Sequence, residues 1–247
     1  MSRNFDLLAE VERERESGPD NGRVPLSTIH SAPNIDLPPS EPSTEGPELF
    51  RLVRSVFLAN NGASPRRVVF FGVDDESGSS MVCANAARAL SRNTSKSVCL
   101  VDANVRSARL SQSLGITSAA VPLSGRSSSV REQCAQISGN LWLAGIDLMS
   151  DGRSCLLPID ELKNRLTQLS GAFEFVIIDA PGTDVSPDAE IIGHVADAAV
   201  LVIEANKTRR TAAAKAKEGL EAAGVRLLGT VMNGRTFPIP QRLNRFL

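Results

Sequence analysis

Histidine is almost missing from this 247-residue chain, and its cysteines are few and unpaired. His30 and His194 have no cysteine or second histidine at ligand spacing, which argues against a metal site built on them. The four cysteines, Cys83, Cys99, Cys134 and Cys155, form no C-x-x-C pair. Cys83 and Cys99 fall in apolar periodic segments and read as buried thiols of a reducing compartment. No apolar run approaches the roughly 18 to 20 residues of a membrane span, and the first residues lack an apolar signal core. Neither charge is in excess, with 28 acidic against 27 basic residues, so no global field directs the chain to nucleic acid. These absences describe a cytoplasmic protein, without a nucleic-acid partner, that reaches a membrane only through something else.

What is present divides along the chain. Residues 1–18, "MSRNFDLLAEVERERESG", can form a short helix with one apolar edge or stay frayed, since isolated helices of that length are marginal in water. Residues 19–47 are rich in Pro, Ser, Asn and Glu and read as a disordered linker. Residues 48–236 form the folded domain, and 237–247 a tail. The domain opens on a helical stretch, "PELFRLVRSVFLANN". Six strand-like runs follow: "RVVFFGV", "SVCLVDA", "NLWLAGI", "FEFVIIDA", "AAVLVIEA" and "RLLGTVMN". The helical stretches "SSMVCANAARALSR", "IDELKNRLTQLSGA", "DAEIIGHVA" and "TRRTAAAKAKEGLEAAG" lie between them. Near-continuous apolar strands alternating with helices predict a mostly parallel sheet covered by helices on both faces, a three-layer α/β fold. Ligands of such sheets bind beyond the carboxyl ends of the strands, where Gly72, Asp102 and Asp179 fall.

The stretch "RRVVFFGVDDESGSSMVCANAARAL" has the layout of a phosphate-binding loop: an apolar strand, a short polar loop and an alanine-rich helix. Asp102 and Asp179 each follow an apolar strand, where a carboxylate can hold Mg²⁺ or a water, or simply cap the next helix.

These segments resemble the cytoplasmic ATPase domains of the bacterial tyrosine kinases of capsule and exopolysaccharide assembly, within the wider ParA and MinD class of P-loop proteins. The resemblance runs from about Gly46 to Arg235. "FEFVIIDAPGT" is similar to the Walker B strand, and "VCLVDANVRSARLSQSLGI" to the second aspartate motif, with Asn104 where the family usually has Asp. Glu48, Arg51 and Arg54 match an E-x-x-R-x-x-R oligomerisation motif, and Asn233 matches a base-binding asparagine. The resemblance implies Mg·ATP or ADP as ligand, with Gly78, Ser79, Ser80, Asn104 and Asn233 around the nucleotide and Asp102 and Asp179 at the Mg²⁺ positions. It also implies a homo-oligomer and an inner-membrane polysaccharide copolymerase or export protein as partner.

The departures lie in the loop and in the absence of tyrosine. Ser79 stands where the family has its lysine, Asp74, Asp75 and Glu76 flank it, and the chain has no tyrosine to autophosphorylate. Losing the lysine removes a charge-assisted hydrogen bond of about 1.5–3 kcal/mol. A carboxylate about 4 Å from the bound phosphate costs about 1–4 kcal/mol more. The acids and serines of "DDESGSS" are expected instead to cap the following helix. A pseudokinase that scaffolds or regulates polysaccharide synthesis and export is the expected function, with no certain cofactor. The alternatives are an active Mg·ATP-dependent tyrosine kinase acting on other proteins and, more weakly, a ParA- or MinD-like positioning ATPase. The basic cluster of "NKTRRTAAAKAK" reads as a solvated helix face or a site for an acidic partner. The apolar, arginine-bearing tail either docks on a partner or membrane surface or packs back on its own domain.

Overall fold

The computed structural model describes residues 47–58, 64–106, 110, 129–150 and 155–234. The leader, all of the linker but Pro47, and the tail lie outside the described residues, as does most of the segment after Arg106. Helix α1, Pro47–Val53, runs directly into a π-helical segment, Arg54–Leu58. Then come β1 (Arg67–Gly72), α2 (Ser79–Asn93), β2 (Val98–Asp102), β3 (Ala135–Ser138) and β4 (Leu141–Ala144). The order continues with α3 (Ile159–Ala172), β5 (Phe175–Asp179), α4 (Asp188–Val195), β6 (Ala198–Glu204), α5 (Arg210–Ala222) and β7 (Leu227–Asn233). All six expected strands form. The strand order is β3-β4-β2-β5-β1-β6-β7, parallel throughout except for β3 against β4. This is the three-layer α/β fold expected from the alternation of runs.

The near-continuous apolar strands bury both faces, as two packed layers require. Along β1, Val69 and Phe71 enter one core with Leu162, Leu166 and Leu169 of α3, Ile192 of α4 and Leu220 of α5. Val68 and Phe70 enter the other core with Val53 of α1, Phe57 of the π segment, and Val82 and Leu90 of α2. Each fully buried side chain of this size contributes about 1.5–3 kcal/mol, so β1 ties the two cores together through four of them.

Polar clamps at the amino ends of the strands fix this arrangement. The Asp197 carboxylate accepts hydrogen bonds from the backbone N–H groups of Arg66 (3.0 Å) and Arg67 (2.9 Å) and from Arg67 Nε (2.9 Å), tying the start of β1 to that of β6. Partial burial alone would raise the Asp197 pKa, but the Arg67 guanidinium and these N–H groups outweigh it, leaving the carboxyl below its ordinary range. The Arg66 guanidinium donates to the carbonyls of Ser170, Phe173 and Glu174, where a cation also complements the carboxyl end of α3. Asp197→Ala should therefore lower stability in urea by about 2–3 kcal/mol at neutral pH. Because the folded-state pKa is depressed, the gap to the parent should close as pH falls below about 4.

Candidate functional site

The loop leaving β1 curls tightly over Gly72. A Cβ at Gly72 would collide with the Ser77 hydroxyl and the Asp74 carbonyl. Ser77 is completely buried, and its hydroxyl donates to the Asp74 carbonyl at 2.7 Å. The Asp74 carboxylate accepts from the Glu76 N–H at 3.1 Å, closing a turn within the loop. From the segment after β5, the Thr183 N–H donates to the Gly72 carbonyl (2.9 Å) and the Asp184 N–H to the Val73 carbonyl (3.2 Å). On the other flank, Asn233 Nδ2 at the end of β7 donates to the Ser77 carbonyl at 3.1 Å. Gly78 follows in the left-handed region at φ 76°, where a side chain would meet the Asn233 amide.

The expected capping of α2 by the loop's acids does not occur. Gly78 itself is the N-cap, without a side-chain hydrogen bond, and no acid lies in the first turn. The cause is the local turn: Asp74 and Ser77 satisfy the loop's own backbone rather than the helix. Gly78 has no side chain to offer, so the N-terminus of α2 keeps its dipole uncompensated by a cap.

Asp102 and Asp179 are opposed in register at the ends of β2 and β5, and both are essentially buried. The Asn104 N–H donates to Asp102 Oδ1 at 3.3 Å. Burial raises the Asp102 pKa to about 7, with the Asn104 N–H pulling it back. Neither Asp179 oxygen makes a hydrogen bond of full geometry, although the Ser80 hydroxyl lies close enough to oppose the rise; burial drives its pKa well up and Asp102 adds to the shift. The buried Cys83 thiol of α2 is raised first by burial and then by the same two carboxyls, which places it beside them. Among the described residues no three ligating side chains converge, so two carboxylates, aided by the Ser80 hydroxyl, are what this chain can offer a divalent cation.

The structure thus brings Gly78, Ser79, Ser80, Asp102, Asn104, Asp179 and Asn233 to one end of the sheet. Asn233 is spent on the loop backbone. Glu48, Arg51 and Arg54 stand apart, all exposed; the first two lie on α1 and Arg54 opens the π segment, so the three do not share one continuous α-helical face. Several participants carried no clear signal in sequence, chief among them Ser77, Thr183 and Asp184, while Lys207 was read only as part of a basic cluster. Asp184 is raised by partial burial and by its neighbours Asp74 and Asp75, which makes the loop mouth acidic. Lys207, in the turn after β6, pairs with Glu204 at 2.8 Å. Its pKa is raised first by Glu204 and further by Glu76 and Asp74, so this cation neighbours the loop's acids from outside the loop.

No family model matches the sequence. Tyrosine-protein kinase YwqD of Bacillus subtilis (strain 168) is 31% identical over 208 residues, 79% of this chain and 84% of that protein. The putative tyrosine-protein kinase CapB of Staphylococcus aureus is 24% identical over 200 residues, 78% of this chain and 86% of that protein. Among solved structures, the chimerical protein CapA2B2 superposes with a TM-score of 0.63 at 22% identity, over 78% of this chain and 87% of that one.

A buried aspartate whose folded-state pKa lies above its ordinary value near 4 holds a proton that the unfolded chain releases. Stability should therefore fall as pH rises from about 4 to about 7 and stay reduced above that. Asp102→Asn is expected to raise the denaturation midpoint more at pH 8 than at pH 5. An equal change at both pH values would mean that the carboxylate is not held protonated.

Proposed function

This chain belongs to the bacterial tyrosine-protein kinases, and from that premise we propose that it is a non-catalytic or weakly active member of the family. In this reading it scaffolds or regulates the synthesis and export of a surface polysaccharide from the cytoplasmic face of the inner membrane. The observation that carries the reading is the loop itself. Its Ser77 hydroxyl and Asp74 carbonyl lie over Gly72, Ser79 occupies the lysine position, and Asp74, Asp75, Glu76 and Asp184 crowd the mouth. The residues suit a hydrated divalent cation, given the paired Asp102 and Asp179, but not a triphosphate. Without a lysine the loop forgoes about 1.5–3 kcal/mol of charge-assisted bonding, and each facing carboxylate opposes phosphate by about 1–4 kcal/mol. The absence of tyrosine removes autophosphorylation of the chain itself.

A second reading, an Mg·ATP-dependent kinase acting on tyrosines of other proteins, is favoured by one pair of observations. The N-terminus of α2 is uncapped, and neither oxygen of Asp179 makes a hydrogen bond of full geometry. The two readings separate in calorimetry of the full-length protein with Mg²⁺ and ATP or ADP. No heat of binding at millimolar nucleotide is expected. Micromolar binding, together with a phosphoryl transfer that Asp179→Asn abolishes, would replace the scaffold with the kinase.

An inner-membrane partner fits a chain in which no described helix is long and apolar enough to cross a membrane. The relative CapB and the chimera CapA2B2 support a capsule-type setting for it. Self-association would run through α1 and the start of the π segment, where Glu48, Arg51 and Arg54 are all exposed. Arg51→Ala combined with Arg54→Ala should convert the sedimenting oligomer to monomer while leaving the denaturation midpoint unchanged. If the sedimentation coefficient does not move, the α1 face is not the contact.

A further inference from the structure

Among the described residues β7 pairs only with β6 and ends the sheet. Its sequence, LLGTVMN, contains no charge and no proline, the devices that natural edge strands use to block unwanted pairing. Leu228, Gly229, Thr230 and Met232 are exposed, Met232 by 55%. The Asn233 carbonyl accepts the Ala205 N–H at 2.8 Å and so faces β6. Backbone polar groups of successive strand residues point to alternate edges. Val231 therefore turns inward like Asn233, and Thr230 and Met232 turn their N–H and C=O groups outward.

The chain beyond this strand has a complementary pattern. After Gly234, at φ 67°, it runs from Arg235 to Leu247 as "RTFPIPQRLNRFL". In an extended segment Phe237, Ile239 and Gln241 present N–H groups to one edge, whereas Pro238 and Pro240, which have none, occupy the other. Such a strand can pair on one side only.

We propose that residues 237–241 fold back antiparallel on β7, with Phe237 opposite Met232 and Ile239 opposite Thr230. Residues 233–236 form the connection, a common four-residue hairpin loop. Phe237 and Ile239 then cover the exposed face beside Met232 and Thr230, and the sheet ends on two prolines. The occupant is this chain's own tail, whichever nucleotide reading holds.

Hydrogen exchange at the Thr230 and Met232 amides tests this in the full-length protein against a Phe237→Asp, Ile239→Asp double variant. Both amides should exchange at least roughly tenfold faster in the variant, at either of two protein concentrations. A Thr230→Cys, Ile239→Cys pair in a Cys155→Ser background should close an intramolecular disulfide on mild oxidation, since opposed strand residues have the required Cα separation. Unchanged exchange with no intramolecular disulfide would overturn the proposal. So would protection that rises with protein concentration, which would assign the edge to a second copy. Protection that appears only with anionic vesicles would assign the tail to a lipid surface and equally overturn it.

Discussion

The placement of β1 between β5 and β6 is the constraint on which the rest of this molecule depends. Val68 to Phe70 pair in register with both neighbours, and the strand buries one face in each of the two cores. With β2 and β5 to one side and β6 and β7 to the other, the chain after Gly72 emerges at the crevice where the sheet's winding reverses. The Asp197 and Arg66 clamps hold the opposite ends of the same strands. With both ends fixed, the loop has little freedom, and the Thr183 and Asp184 N–H groups can reach its first carbonyls only because β5 lies alongside.

Much of this was legible in sequence because it follows from burial. Strands buried on both faces have to be written as continuous runs, and five of the six expected runs became such strands; the sixth became β7, which has no buried residue. The one missed, Ala135–Ser138, is a short edge strand with a bulge whose buried residues are only Ala135 and Ile137. Edge position relaxes the need for an apolar run without forbidding one, as β7 shows, and four residues with two alternating buried side chains leave little to mark the strand. Asp102 and Asp179 were legible for the related reason that a carboxylate at the end of a buried strand is conspicuous.

The interior of the loop was less accessible. Composition favours Asp, Glu and Ser as helix caps, and "DDESGSS" satisfies that preference on paper. Its hydrogen bonds go elsewhere because Asp74 and Ser77 close a local turn three residues before the helix starts. Which of two nearby backbone groups a side-chain oxygen serves depends on differences of about 1 kcal/mol in geometry, below what residue type specifies. For Asn233, the contact it makes was hidden for a similar reason. Its position at the end of β7 was read correctly, while its amide meets the loop carbonyl before it meets any ligand.

Replacing a lysine by serine also has a consequence for the residues left behind. A cation in the loop would favour the ionised forms of Asp102 and Asp179 and so offset their burial. Here Lys207, in the turn after β6, is paired with Glu204, and its field also reaches Glu76 and Asp74 of the loop. Burial therefore leaves both carboxyls much weaker acids than usual, Asp102 raised to about 7 and Asp179 well up, and it raises the Cys83 thiol as well. A proton on either carboxyl lessens the repulsion of two acids buried in register. An aspartate pair that persists in this way is weak evidence for catalysis, because its retention is compatible with packing alone. The uncapped end of α2 carries no more weight, since a side chain at Gly78 would meet the Asn233 amide and the positive φ there favours glycine, so packing alone accounts for the missing cap.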